Sequence, residues 1–377
     1  MSPIFRTIGL AANFACAPAL VGCAIESGRP DVGAPLVTFP IKAAGIQDAR
    51  LIFAGYFGRE LDSPAVVGGK SSSVWDFLLG PLSSGVREDV LLGAPSPVRD
   101  LAGTSVLVVP GIFGDCVDEQ SVPFGDGMAR PRPLNYVEAY RAFSDLGLAD
   151  TRALRIPTQA SSATNGALIA RELVAEAARP DVRSIVVVAY SKGVPDTLHA
   201  LVLLEQQRQL PAKVQALVSV AGVVMGTPIA DRHAGLYDHL AGLVDVAGCS
   251  KSQGGEVESL AQSTRMRWLA AALPLPNLRY YSLVAIPDED RVAPGLRAFH
   301  NELGRIDRRN DGQVIASEAI LPRSQLVAEL RSDHWDSVLP LDRHPIALVR
   351  SLASGFDFPR EALFRAIVRY VADDLEL

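Results

Sequence analysis

The sequence is poor in the residues that build metal sites and nucleic-acid interfaces. It has 4 cysteines in 377 residues, with no C-x-x-C pair and no cluster of cysteine with histidine, which argues against a structural zinc site. Lysine and arginine are nowhere clustered and the net charge is −6, so no basic surface for nucleic acid is indicated. After the N-terminal segment, no apolar run reaches the roughly 18 residues that a membrane-spanning helix needs.

The N-terminal segment has the composition of an export signal. Arg6 is its single positive side chain, and residues 7–22 are small and apolar but too few to span a bilayer. The Leu-Val-Gly-Cys run that ends at Cys23 resembles the lipobox of bacterial lipoproteins. We therefore expect residues 1–22 to be a signal peptide and the protein to be exported to the cell envelope (periplasm or outer membrane), with lipidated Cys23 as a membrane tether. A poorly ordered N-terminal arm is the alternative.

Two cysteines remain beyond this segment, Cys116 and Cys249. In an oxidising compartment they could form one disulfide, joining the loop after the first core strand to an insertion near residue 249. Two isolated buried thiols are an equally good interpretation.

From residue 104 onward, apolar strand-like runs alternate with amphipathic helix-like segments. This alternation is typical of an α/β fold, in which helices cover both faces of a mostly parallel sheet. The length of 377 residues suits one large domain of this kind with insertions, or two ordinary domains. The spacing predicts strands over 105–109, 184–188, 214–220 and 278–285, and helices over 48–61, 165–178, 194–207 and 359–375, with a further capped helix opening at Ser73.

One of these strands ends on Ala189-Tyr190-Ser191-Lys192-Gly193. A small residue two positions before and after the serine lets a strand turn sharply into a helix, which exposes the serine hydroxyl at the top of the sheet. Ser191 is therefore the candidate nucleophile. The competing interpretation is a serine that merely caps a helix after a strand.

A nucleophilic serine needs a histidine base and an orienting acid, which in such a fold follow it as acid and then histidine. His334 lies in a polar loop late in the chain and is the best base. For the acid, Asp311 and Asp290 are nearly even, and an ordinary Asx-type turn is the alternative for both. The other histidines have another place in the predicted fold: His199 on the helix after the serine, His233 and His239 in an insertion, His300 in a helix-like segment, and His344 before a proline.

The oxyanion of such a reaction needs two backbone N–H donors. One is expected from Lys192, directly after the nucleophile, and the other from Ile112 or Phe113 in a Pro-Gly-Ile-Phe-Gly loop. This loop lacks the G-x-G-x-x-G and Gly-Lys-Ser/Thr patterns of phosphate loops, and no cofactor or catalytic metal is predicted. A serine–lysine dyad is not supported. The S-x-x-K pattern of such enzymes would place a lysine at position 194, three residues after Ser191, and this chain has a valine there.

These motifs, with Gly-Thr-Pro-Ile-Ala-Asp at 226–231 and Asp-His-Trp-Asp at 333–336, resemble the bacterial lipase branch of the α/β-hydrolase superfamily. The resemblance favours Asp311 as the acid, with Asp290 as the alternate. It implies an α/β-hydrolase domain over 101–377, preceded by a tether and extension over 23–100. It also implies a helical lid at about 228–275, for which an ordinary packed insertion is the alternative.

The expected function is that of a serine esterase or lipase, acting on acyl ester or lipid substrates through an acyl-enzyme. An acyltransferase with the same three residues is one alternative. A non-catalytic envelope protein of the same fold, which binds a ligand or partner, is the other.

Overall fold

The computed structural model describes residues 45–63, 73–79, 99–112, 114, 124, 141–233, 252–344 and 347–377. The signal segment, Cys23, Phe113, Cys116 and Cys249 lie outside the described residues, as does the middle of the predicted lid at 234–251. Predictions that concern them stay predictions.

The described residues form a seven-stranded sheet in which every neighbouring pair of strands is parallel. The strands are β1 (Gln47–Asp48), β2 (Thr104–Val109), β3 (Asp150–Ala153), β4 (Ser184–Tyr190), β5 (Val214–Val220), β6 (Arg279–Ala285) and β7 (Gln325–Leu330). Their spatial order in the sheet is β1-β7-β6-β5-β4-β2-β3. The predicted α/β architecture with a parallel sheet is confirmed.

Helices pack on both faces of this sheet. The helix predicted to open at Ser73 is a single 3-10 turn, although Ser73 and Asp76 do form its capping box. None of the helices in the described part of the chain has the length and apolar content that crossing a bilayer requires. The helices are α1 (Arg50–Leu61), α2 (Ser162–Ala177), α3 (Gly193–Gln206), α4 (Gln262–Ala272), α5 (Arg297–Leu303), α6 (Ala347–Arg350) and α7 (Arg360–Leu375).

Alternate residues of the central strands supply two separate cores, because successive side chains of a strand point to opposite faces. In β2, Val106 and Val108 lie in the core formed with α1 and α7. Leu107 and Val109 lie in the core formed with α2, α3 and α4. All four are fully buried, and each such side chain contributes about 1.5–3 kcal/mol relative to exposure. Burial on both faces explains why the strand is continuously apolar.

The segment that precedes the predicted hydrolase domain contributes to the first of these cores. Phe53 of α1 packs edge-on against Tyr370 of α7, with ring centroids 5.8 Å apart. An ion pair between Glu60 and Arg369 (2.5 Å) joins the same two helices. Residues 45–63 therefore pack with the sheet although they precede residue 101, where the sequence places the start of the domain.

Candidate active site

The turn between β4 and α3 holds Ser191 in a strained conformation. Ser191 has φ 53°, a left-handed value that is costly for a residue with a side chain. Gly193 follows where no side chain fits, since a Cβ atom there would lie 2.5 Å from the Val109 carbonyl oxygen and 2.6 Å from that of Pro110. The small residue that the sequence pattern requires is thus explained by the closeness of the β2 backbone.

Ser191, His334 and Asp311 lie together at the carboxyl ends of the strands and are all buried. The His334 Nε2 atom is 2.8 Å from Ser191 Oγ, and its Nδ1 atom is 2.7 Å from Asp311 Oδ2. A carboxylate oxygen can only accept a hydrogen bond, so Nδ1 carries the proton and donates it. Nε2 of the neutral ring is then the acceptor, and the Ser191 hydroxyl donates to it.

Asp311 is fixed by the turn in which it lies. Its Oδ1 atom accepts hydrogen bonds from the backbone N–H groups of Gln313 (2.8 Å) and Val314 (2.7 Å), which leaves Oδ2 for the histidine. Gly312, with φ 89°, supplies the left-handed residue of this turn. The His334 backbone N–H donates to the Asp311 carbonyl oxygen at 3.0 Å, so main chain and side chain join the two loops.

The alternate acid, Asp290, lies elsewhere. It is exposed, on a 3-10 turn formed by Glu289–Arg291 after β6. Between Asp290 and Asp311, the structure therefore brings only Asp311 to the histidine.

Two further aspartates, Asp333 and Asp336, are buried beside His334. Burial, followed by the charge of Asp336, raises the pKa of Asp333 to about 7. Burial also raises the pKa of Asp336. Asp333 accepts three backbone N–H bonds, one of which comes from Ala293 and joins the histidine loop to the chain that follows β6.

The predicted oxyanion donors are described only in part. A Cβ atom on Gly111 would lie 2.9 Å from the Cβ atom of Ser191, so the loop after β2 runs directly against the nucleophile. Ile112 follows it, half-buried against a third apolar cluster, and Phe113 lies outside the described residues. Lys192 lies at the N-terminus of α3, where backbone N–H groups are unpaired in a helix.

The side chain of Lys192 points into the core and not to solvent. Its ammonium bonds both carboxylate oxygens of Asp196, at 2.7 and 2.9 Å, and both side chains are about 1% exposed. The Asn165 amide donates to the same carboxylate at 2.8 Å. The pair was not predicted from the sequence, although Lys192 and Asp196 are four residues apart, the spacing at which side chains of a helix contact each other.

The other described histidines have different partners. His199 stacks on Trp268, with ring centroids 4.2 Å apart, and burial lowers its pKa to about 3. His233 bonds Glu302 at 2.8 Å. Burial also lowers the pKa of His300. Within the described ranges no group of three or more histidine, cysteine, aspartate or glutamate residues could hold a metal ion.

The chain is similar to solved structures of esterases and lipases. It is 34% identical to the metagenomic carboxyl esterase MGS0156, with a TM-score of 0.72, over 91% of this chain and 97% of that one. EstA from Clostridium botulinum is 10% identical, with a TM-score of 0.50 over 85% of this chain and 98% of that one. The mature Bacillus licheniformis lipase BlEst2 is 22% identical, with a TM-score of 0.47 over 64% and 89%. No family model and no curated protein sequence matches the chain.

Proposed function

Because the chain belongs to the α/β-hydrolase superfamily, among its esterases and lipases, we propose that it hydrolyses carboxylic esters with Ser191 as the nucleophile. The observation that carries this proposal is the line of two hydrogen bonds from Asp311 through His334 to Ser191, at 2.7 and 2.8 Å. A serine hydroxyl is a weak nucleophile until a base removes its proton, and this line supplies both the base and the group that orients it.

The reaction begins when His334 Nε2 takes the proton of Ser191 as the serine oxygen attacks the carbonyl carbon of the ester. Asp311 stabilises the positive charge that forms on the imidazole and keeps the Nδ1 proton in place. The tetrahedral intermediate then collapses, His334 gives its proton to the departing alcohol, and an acyl-enzyme ester remains on Ser191. Water, deprotonated by the same histidine, attacks this ester and forms a second tetrahedral intermediate. When this intermediate collapses, the bond to Ser191 Oγ breaks, His334 returns the proton to that oxygen, and the acid is released.

The negative charge on the carbonyl oxygen is expected to be stabilised by backbone N–H groups near Ser191. The Lys192 amide is one donor, since it lies at the start of α3 directly after the nucleophile. Ile112 or Phe113 supplies the second from the loop after β2. Support for this second donor comes from Gly111, where an added Cβ atom would lie 2.9 Å from the Cβ atom of Ser191, so the loop after β2 runs close to the nucleophile.

The proposal is tested with a fluorophosphonate probe and a chain-length series of p-nitrophenyl esters. Wild-type protein should be labelled and should release nitrophenol, whereas Ser191→Ala should do neither. Ser219→Ala is the matched control, because Ser219 is a buried serine of the adjacent strand β5, paired in register with Ala189. Within the described part of the chain its hydroxyl has no hydrogen-bond partner, so its loss should leave labelling and hydrolysis unchanged.

Folded wild-type protein that is neither labelled nor active on any ester of the series would contradict the proposal. Analysis of the products with and without an added alcohol separates hydrolysis from acyl transfer. Free acid as the main product in both cases supports the hydrolase, and a transferred acyl group supports the acyltransferase.

A further inference from the structure

Tyr190 connects the nucleophile turn to the histidine loop through a contact that the mechanism above does not use. It is the last residue of β4 and lies directly before Ser191. Its side chain is 3% exposed, and its hydroxyl donates a hydrogen bond to the backbone carbonyl oxygen of His334 at 2.8 Å. The phenol and imidazole rings also lie close together, with centroids 5.3 Å apart.

The hydroxyl is suited to act as a permanent donor. Burial, followed by the negative charges of nearby aspartates, raises the pKa of Tyr190 well above its usual range. The phenol therefore keeps its proton near neutral pH. The buried carbonyl oxygen of His334 accepts this hydrogen bond at 2.8 Å.

The contact completes the set of bonds that fix His334. Its backbone N–H is held by the Asp311 carbonyl oxygen, and its ring is held by the Asp311 carboxylate on one side and by Ser191 on the other. The bond from Tyr190 is the one that ties the histidine main chain to the strand that carries the nucleophile. Because Tyr190 and Ser191 are consecutive, a shift of that strand end moves both the anchor and the nucleophile.

We propose that Tyr190 is a positioning residue, whose hydroxyl fixes the main chain of His334 so that the imidazole stays within reach of Ser191. The inference rests on the proposed function of Ser191 and His334. Reacting groups must be aligned closely, and a displacement of about 1 Å can lower a rate by roughly a hundredfold. Loss of the hydroxyl should therefore lower the rate of the chemical step more than it lowers the affinity for substrate.

The chain offers a matched control in Tyr280. It is also 3% exposed, and its hydroxyl donates to a backbone carbonyl oxygen, that of Pro276, at 2.9 Å. This bond lies at the start of β6, in the other core of the sheet. Tyr190→Phe and Tyr280→Phe thus remove the same kind of buried bond, and only the first one touches His334.

The experiment measures kcat, KM and the rate of fluorophosphonate labelling of Ser191 for wild type, Tyr190→Phe and Tyr280→Phe, together with urea unfolding of each. We expect both variants to lose similar stability. Tyr190→Phe should lower kcat and the labelling rate by roughly tenfold to a hundredfold with KM within about twofold of wild type. Tyr280→Phe should leave all three within about twofold.

Equal kinetic effects of the two variants would assign Tyr190 a general structural role and would overturn the inference, as would wild-type kcat in Tyr190→Phe. In either case, an active wild type and an inactive Ser191→Ala would still support the proposed function. Failure of the inference about Tyr190 can thus be distinguished from failure of the proposed function. Tyr190→Met, which fills the space with a flexible side chain but cannot donate, is the second variant if phenylalanine does not fold. If neither folds, the tyrosine serves folding, and the inference is wrong.

Discussion

Replacing Asp333 with asparagine should change the pH dependence of folding stability. Asp333 is fully buried, and its carboxylate accepts backbone N–H bonds from Ala293 (2.7 Å), Trp335 (2.9 Å) and Asp336 (2.9 Å). Such bonds favour the ionised form, but burial and then the charge of Asp336 outweigh them and raise the pKa of Asp333 to about 7. The carboxyl beside the histidine is thus half-protonated near neutral pH.

The magnitude follows from the difference between the folded and unfolded pKa values. In the unfolded chain the carboxyl titrates near 3.9, so between pH 4 and 7 the folded state keeps a proton that the unfolded state has released. The stability linked to this proton is complete below about pH 4 and is lost as the pH rises through about 7. A shift of about 3 pKa units at about 1.4 kcal/mol each amounts to about 4 kcal/mol, of which about 2–3 kcal/mol is lost between pH 5 and 8.

The assay is urea unfolding of wild type and Asp333→Asn at pH 5, 6, 7 and 8. Asparagine cannot ionise, so the free energy of unfolding of wild type should fall relative to that of the variant by about 2–3 kcal/mol across this range. Taking the difference removes the contributions of the titrating groups that do not interact with Asp333. Asp290→Asn, at an exposed position, is the control for the aspartate-to-asparagine substitution itself.

A difference between wild type and Asp333→Asn that stays constant from pH 5 to 8 would refute this reasoning. It would mean that the three N–H donors keep Asp333 ionised in the folded state throughout the range. If the free energy of unfolding of wild type instead rises with pH relative to that of Asp333→Asn, the pKa of the carboxyl is lower in the folded than in the unfolded state. That shift would be opposite in sign to the one expected.

Three further predictions concern the site and its support. Asp311→Asn should lower kcat by about 10⁴-fold in an ester-hydrolysis assay, because an amide can stabilise the wrong histidine tautomer. Gly193→Ala should lower the free energy of unfolding by about 1–3 kcal/mol in urea, since the added Cβ atom would lie 2.5 Å from the Val109 carbonyl oxygen. Lys192→Met should cost about 3–5 kcal/mol by leaving Asp196 buried without its cation, and adding Asp196→Leu should recover most of that loss.

The central strands and the nucleophile turn could be predicted from sequence because their signals are local. β4 begins at Ser184 as predicted and continues to Tyr190, and β6 begins one residue after its predicted start. These strands are buried on both faces, so their apolar runs are continuous. The sharp turn after β4 likewise needs small residues at fixed positions, and these can be recognised without knowing the rest of the fold.

Strands β3 and β7 were not predicted from the sequence, because their charged residues are stabilised by partners that are distant in the sequence. β7 contains Glu329, a buried carboxylate that forms ion pairs with Arg50 and Arg309. β3 is a half-exposed edge strand, in which Arg152 pairs with Glu176 of α2 at 3.1 Å. Charged residues interrupt the apolar pattern in both strands, and only the folded arrangement of their partners explains them.

Tyr190 was missed for a related reason. A tyrosine at the end of a buried strand fits ordinary core packing, and the sequence carries no sign that its hydroxyl reaches a residue 144 positions away. The buried side chain of Lys192 is comparable, since a lysine next to a nucleophile does not indicate by itself whether it faces solvent, substrate or core.

The choice of Asp311 over Asp333 depends on which carboxylate has an oxygen left for the histidine. Asp333 is buried nearby, but both of its oxygens accept backbone N–H bonds. Asp311 instead accepts both of its turn bonds through Oδ1, so Oδ2 is free to bond Nδ1 of His334. An Asx-type turn is the ordinary alternative to a functional acid at this position. The turn bonds to Oδ1 leave Oδ2 directed at the histidine, so the turn is compatible with the proposed role of Asp311 as the acid.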